Sequence, residues 1–123
     1  MSISFLQLYN ERIYDLLNQD MFKRQIFNQV GANPKEGLKL KWNPHDVFTV
    51  DNLTTVEIAT YKDIMLLYHH GIKNKAIGSH KMNFTSSRSH TVFTVTLEQI
   101  SCENPDNMIV SKLQIVDLAG SER

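Results

Sequence analysis

The chain has 123 residues, in which 13 basic side chains balance 13 acidic ones. That length suffices for one domain with a core, and the zero net charge gives no overall basic field for nucleic acid, so electrostatic docking must come from a local patch. Hydrophobic content of 41% beside 21% charged residues is ordinary for a globular protein. A single cysteine, Cys102, excludes an internal disulfide and fits a reducing compartment. No apolar run approaches the roughly 20 residues of a membrane span, and no basic n-region precedes the first apolar residues, so no signal peptide is expected.

Ile3 to Tyr9 reads as the first strand, with Ile3, Phe5 and Gln7 on one face and Ser4, Leu6 and Leu8 on the other. Asn10-Glu11 breaks it, and Ile13, Tyr14, Leu16 and Leu17 return to the core. Gln19 to Lys35 is of mixed polarity and closes in Gly31-Ala32-Asn33-Pro34, a turn cluster in a variable connection. Leu38-Lys39-Leu40-Lys41-Trp42 alternates, which predicts a strand with one wet face carrying Lys39 and Lys41. Asn43 to Asp46 turns, with His45 at the tip, and Val47 to Val50 returns to complete a small meander.

Thr60 to Asn74 is the clearest helix. Thr60 suits the N-cap and Asp63 stands three residues on, the spacing of a capping box. Tyr61, Ile64, Met65, Tyr68 and Ile72 recur at helical intervals and are expected to face the sheet. Gly71 is expected near the helix end. The adjacent His69 and His70 lack the spacing of a helical metal pair and read as surface residues. Lys75 to Met82 then bridges to a serine-rich loop.

That loop, Asn83-Phe84-Thr85-Ser86-Ser87-Arg88-Ser89-His90, enters the alternating strand from Thr91 to Ile100. Serine hydroxyls can ligate Mg²⁺ or bond a phosphate oxygen, although serine-rich turns before strands are common. Cys102 to Asn107, with Pro105, is a turn-rich return. The last strand, Ile109 to Val116, is mostly apolar and β-branched, as a strand buried on both faces would be. It delivers Asp117 to its carboxyl end, where α/β sheets bind ligands, and Gly120 could bring a backbone N–H close to a phosphate. A strand that ends in Asp and a glycine turn is itself a common pattern.

The spellings are more specific than the patterns. Asn-x-x-Ser-Ser-Arg-Ser-His, followed one strand-and-return later by Asp-Leu-Ala-Gly-Ser-Glu-Arg, resembles the paired switch I and switch II signatures of the kinesin motor domain. Tyr9 to Leu17 resembles the Tyr-Asn-Glu-x-Ile-x-Asp-Leu-Leu of the same family. The resemblance covers nearly the whole chain, but only the middle-to-late part of the family's domain. It implies an α/β fold of the P-loop NTPase type: half of a larger mixed β-sheet with a packed helix. The four main strand regions are then expected side by side. Residues 1–123 are expected to form a partial motor domain, cut at both ends.

By this resemblance Ser86 contacts the γ-phosphate and its attacking water, and Ser87 ligates Mg²⁺. Asp117 holds Mg²⁺ through water, Gly120 N–H senses the γ-phosphate, and Asn83 belongs to the nucleotide-binding set. Arg88 and Glu122 pair to close the site. Lys39, Lys41 and His45 lie in the lobe that touches tubulin in kinesins, although a merely solvated lysine face fits that strand as well. Lys75 stands where an Arg is usual in the family, which keeps the charge but loses the guanidinium fork.

The implied function is that of a segment of an ATP-driven microtubule motor of the cytoplasm and cytoskeleton. ATP and Mg²⁺ are its cofactors in the complete domain and microtubules its partner; neither nucleic acid nor membrane is expected. The five glycines, Gly31, Gly37, Gly71, Gly78 and Gly120, nowhere give the Gly-x-x-x-x-Gly-Lys-[Ser/Thr] spacing of a phosphate loop. The nucleotide is therefore not expected to bind this segment tightly. The alternative is a non-catalytic tubulin-binding or other interaction module derived from a truncated motor. A small GTPase-like switch protein fails on absent base-recognition and phosphate motifs.

Overall fold

A computed structural model describes residues 1–18, 38–45, 47–82 and 88–120. Strand β1 (Ser2–Tyr9) is the hub of the main sheet. Its neighbour β2 (Arg12–Asp15) is reached through Asn10 and Glu11, both left-handed with φ of 49° and 60°. Two left-handed residues give a tight hairpin the twist its strands need. On the other side β1 pairs with β6 (Ser89–Ile100), which pairs with β7 (Met108–Asp117). The short β5 (Val56–Glu57) also joins β1. Every one of these pairings is antiparallel.

The strand alternation is as the sequence predicts: Ile3, Phe5 and Gln7 are buried, and Ser4, Leu6 and Leu8 are half-buried. With Tyr14, Leu16, Leu17 and Phe93 the first two form the core. One helix, α1 (Tyr61–Met82), packs on this face. Its Tyr68 stacks on Phe5 at 5.8 Å between ring centres, and Phe93 meets both rings edge-on at 5.1 and 5.6 Å. Such aromatic geometry stabilises beyond the area buried.

The helix begins as expected and ends elsewhere. Asp63 N–H donates to Thr60 Oγ1 at 3.4 Å, and the Asp63 carboxylate accepts from the N–H groups of Thr60 (2.9 Å) and Ala59 (3.1 Å). These bonds favour the ionised carboxyl and hold Asp63 below its ordinary value. Gly71, however, does not end the helix. It lies mid-helix, buried against Phe5, and the helix continues to Met82, through the stretch expected to be a bridge. The inward face is Ile64, Leu67, Tyr68, Gly71 and Asn74. Tyr61 and Ile72 are exposed instead of facing the sheet. Reading only large apolar residues had rotated the stripe, because the closest approach is made by a residue with no side chain.

Asp15 ends β2 and is fully buried. One of its oxygens accepts from Leu17 N–H at 3.0 Å and Asn18 N–H at 3.3 Å; the other accepts from Thr54 N–H at 2.7 Å. A buried carboxylate thus supplies partners for turn amides that would otherwise be orphaned.

The meander is present as β3 (Leu40–Asn43) and β4 (Val47–Val50), but it forms a sheet of its own. Its link to the main sheet is a bridge between Leu38 and Ile13, so the four strand regions do not all lie side by side. Neither face is dry: Leu40, Trp42 and Phe48 are exposed beside the exposed Lys39 and Lys41. No described element covers the hairpin, so the alternation has nothing to sort its faces against. Strand β7 departs from expectation for the same reason. Its apolar run predicts burial on both faces, yet all ten of its residues are exposed. Among the described residues β6 is its one strand neighbour.

Two outcomes test this packing. Gly71→Ala gains up to about 1 kcal/mol of helix propensity, but its Cβ would run into the Phe5 ring. Overpacking of that kind costs about 1–3 kcal/mol, so the variant should melt at a lower temperature. The cap should be acid-sensitive. A depressed carboxyl stabilises the fold above its ordinary value of 3.8 and loses that contribution as pH falls through the folded value. First-turn amide protection should therefore decline in acid, and Asp63→Asn should remove the dependence.

Candidate functional site

The ladder between β6 and β7 brings the two signature stretches together. Thr91 lies opposite Asp117, so the start of β6 and the end of β7 share one sheet edge. Across the sheet the row continues as Tyr14, Gln7, Thr91 and Asp117. Directly opposed residues share a face, and here it is the face that α1 covers.

Asp117 is exposed at the strand end. One carboxylate oxygen lies 3.5 Å from Lys75 Nζ, the lysine standing where the family usually has Arg. With side-chain exposures of 26% and 73% this is a wet, long ion pair, worth only about 0–1 kcal/mol. The second Asp117 oxygen has no partner among the described residues. A hard, accessible carboxylate suits Mg²⁺, which retains waters and binds through one or two carboxylates; the residue present fits that role.

Arg88 directly precedes β6 and is exposed, and Gly120 is exposed three residues beyond Asp117. Asn83, Ser86, Ser87 and Glu122 lie outside the described residues. Lys39, Lys41 and His45 sit on or beside the separate hairpin, away from this edge in the sheet order. Lys41 is committed to Asp51 at 2.9 Å, whereas Lys39 makes no ion pair among the described residues.

Three further residues belong to this neighbourhood. Ala119 N–H donates to His90 Nδ1 at 2.9 Å, tying the loop after β7 to the first turn of β6. Gln7 is fully buried, and neither polar atom of its amide has a hydrogen-bond partner among the described residues. Asn74 is buried in α1 and donates to Leu16 O at 2.8 Å, which fixes the helix turn that also carries Lys75. The signal for His90 was present in the Ser-Arg-Ser-His spelling, but only the fold supplies its acceptor geometry. Gln7 looked like an ordinary alternating strand residue.

The model of the kinesin motor domain family matches residues 1–123. The chain belongs to the kinesin motor domain family. It is 36% identical over 125 residues to Kinesin-related protein 1 of Dictyostelium discoideum, covering 99% of this chain and 5% of that protein. It is 37% identical over 123 residues to the chromosome-associated kinesin KIF4A of Homo sapiens, covering 100% and 9%. With the kinesin-like protein klp-20 of Caenorhabditis elegans identity is 39% over 121 residues, covering 98% and 16%. A solved structure of a fast kinesin superposes with a TM-score of 0.82 at 26% identity, over 99% of this chain and 30% of that one. The fold is therefore that of part of a kinesin motor domain, an α/β sheet with a packed helix. The chain spans only a small share of its curated relatives' lengths. Among the described residues no helix is long and apolar enough to cross a membrane.

Proposed function

We propose that this chain is the switch-bearing part of an ATP-driven microtubule motor that works on the cytoskeleton. The observation that carries the reading is the register of β6 against β7, which sets Asp117 beside the strand entered from Arg88. Kinesin family membership gives the edge its chemistry.

In this reading Asp117 holds Mg²⁺ through water, together with Ser87, and Asn83 adds to the nucleotide contacts. Bound Mg²⁺ would neutralise charge developing on the phosphate oxygens. Ser86 contacts the γ-phosphate and orients the attacking water. Gly120 offers a backbone N–H to the γ-phosphate, at a position where a side chain would hinder close approach. Arg88 and Glu122 meet in a two-pronged, charge-assisted contact that closes the site. Lys75 partly balances the charge of the Asp117 carboxylate, which would hold Mg²⁺ through water.

A second reading is a non-catalytic tubulin-binding module. Turnover separates the two. In a protein that carries this segment together with a phosphate loop, Arg88→Ala should slow steady-state ATP hydrolysis by roughly 10²–10³, the effect of losing one transition-state contact. Nucleotide affinity should change little. Hydrolysis at the parent rate in this variant would remove the latch, and no hydrolysis by the parent would favour the binding module.

The hairpin lysines supply a separate test, because their charge is unevenly available. Lys41 already faces Asp51 at 2.9 Å, while Lys39 is exposed. Lys39→Ala should therefore weaken microtubule co-sedimentation more than Lys41→Ala. The difference should shrink as salt rises, since screening acts over about 10 Å at 0.1 M. Equal losses, or none at low salt, would count against a tubulin contact here.

A further inference from the structure

We infer that His90 is a positioning residue for the loop that follows β7, acting through a hydrogen bond that its Nδ1 accepts from the Ala119 N–H. The β6–β7 ladder ends at the pair of Thr91 and Asp117, so Ala119 N–H lies beyond the last cross-strand partner. Ala119 is only half-exposed, and a backbone donor in that setting needs an acceptor. His90 provides it at 2.9 Å.

The imidazole is well placed to hold a loop still. Its own residue is in β6, paired with Leu8 of β1, the hub strand. Its ring has few rotatable bonds to order. The contact therefore anchors the backbone immediately before Gly120 to the middle of the sheet. Beyond Ala119 the next backbone donor is Gly120 N–H, whose direction depends on where the Ala119 peptide is held. Accepting at Nδ1 also fixes the tautomer: Nδ1 carries no proton and Nε2 carries it. His90 lies two residues after Arg88, so one short stretch would supply both the closing cation and the acceptor that fixes the opposing loop.

The contact stands independently of the motor reading; its consequence for turnover rests on that reading, and the experiment separates the two. In the 123-residue chain, ¹⁵N spectra of His90 should show the Nε2–H tautomer, and Ala119 amide exchange should be slowed. His90→Ala should speed Ala119 exchange by about five- to tenfold, the worth of one hydrogen bond, relative to the Ile115 amide, which pairs with Phe93 inside the ladder and measures its opening. His90→Asn places a carbonyl oxygen near the position of Nδ1 and should restore the protection, whereas His90→Gln should not. An Nδ1–H tautomer would overturn the inference, as would an Ala119 amide that moves only in step with Ile115. In a protein that also carries a phosphate loop, kcat should follow the same order, with Asn above Gln and Ala, at nearly constant KM for ATP. If the amide responds and the parent hydrolyses ATP with kcat indifferent to all three variants, the positioning role in turnover is refuted. If the parent itself does not hydrolyse ATP, it is the motor reading that falls, while the amide result still decides the contact.

Discussion

The helix comes down onto the sheet at one point, where Gly71 leaves the space that the Phe5 ring fills. Much else follows from this close approach. Tyr68, one turn earlier, can stack on Phe5 while Phe93 closes the cluster from the neighbouring strand. Asn74, nearly one turn later, reaches Leu16 O, and Lys75 beside it reaches Asp117 across the sheet. A glycine in a helix interior is unfavourable by about 1 kcal/mol against Ala. Here the aromatic packing it permits outweighs that penalty, so the helix runs through it.

Strand β6 carries that arrangement to the functional edge. Its first half is clamped between β1 and β7, and there Ser89, Thr91 and Phe93, on the face that α1 covers, are buried. Its second half, Leu97–Ile100, extends past the start of β1 and pairs only with β7, so the two strands project as an exposed ribbon. The proposed site residues that the structure describes, Arg88, Asp117 and Gly120, belong to the clamped end. There the ladder is most constrained, and a side chain such as His90 can hold a loop from a rigid base. The exposed apolar residues of β7, among them Ile109, Leu113 and Ile115, are a surface with aggregation potential along an edge that no described strand pairs.

The same edge holds two polar groups with different environments. Asp117 is wet and paired only loosely with Lys75, so its carboxylate remains accessible. Gln7, two strands away on the same row, is fully buried, and its amide has no hydrogen-bond partner among the described residues. The row thus runs from a buried polar interior to an accessible rim, with Thr91 between.

Local chemistry was enough for much of this. The first strand's alternation, the Thr60–Asp63 cap, the turns and the long switch-like spellings were legible because each depends on residues close together in sequence. They were also sufficient to place the chain among kinesins. The helix's true length and inward face were not legible, since they depend on Phe5 meeting a glycine far along the chain. Nor were the exposure of β7 and of the hairpin, because an apolar pattern states which surface seeks cover and not whether a neighbour supplies it. The β6–β7 register set His90 beside Ala119, and the docking of the helix on the sheet set Lys75 beside Asp117. Such contacts are fixed by how strands and helix align across long separations, and no local spacing encodes that alignment.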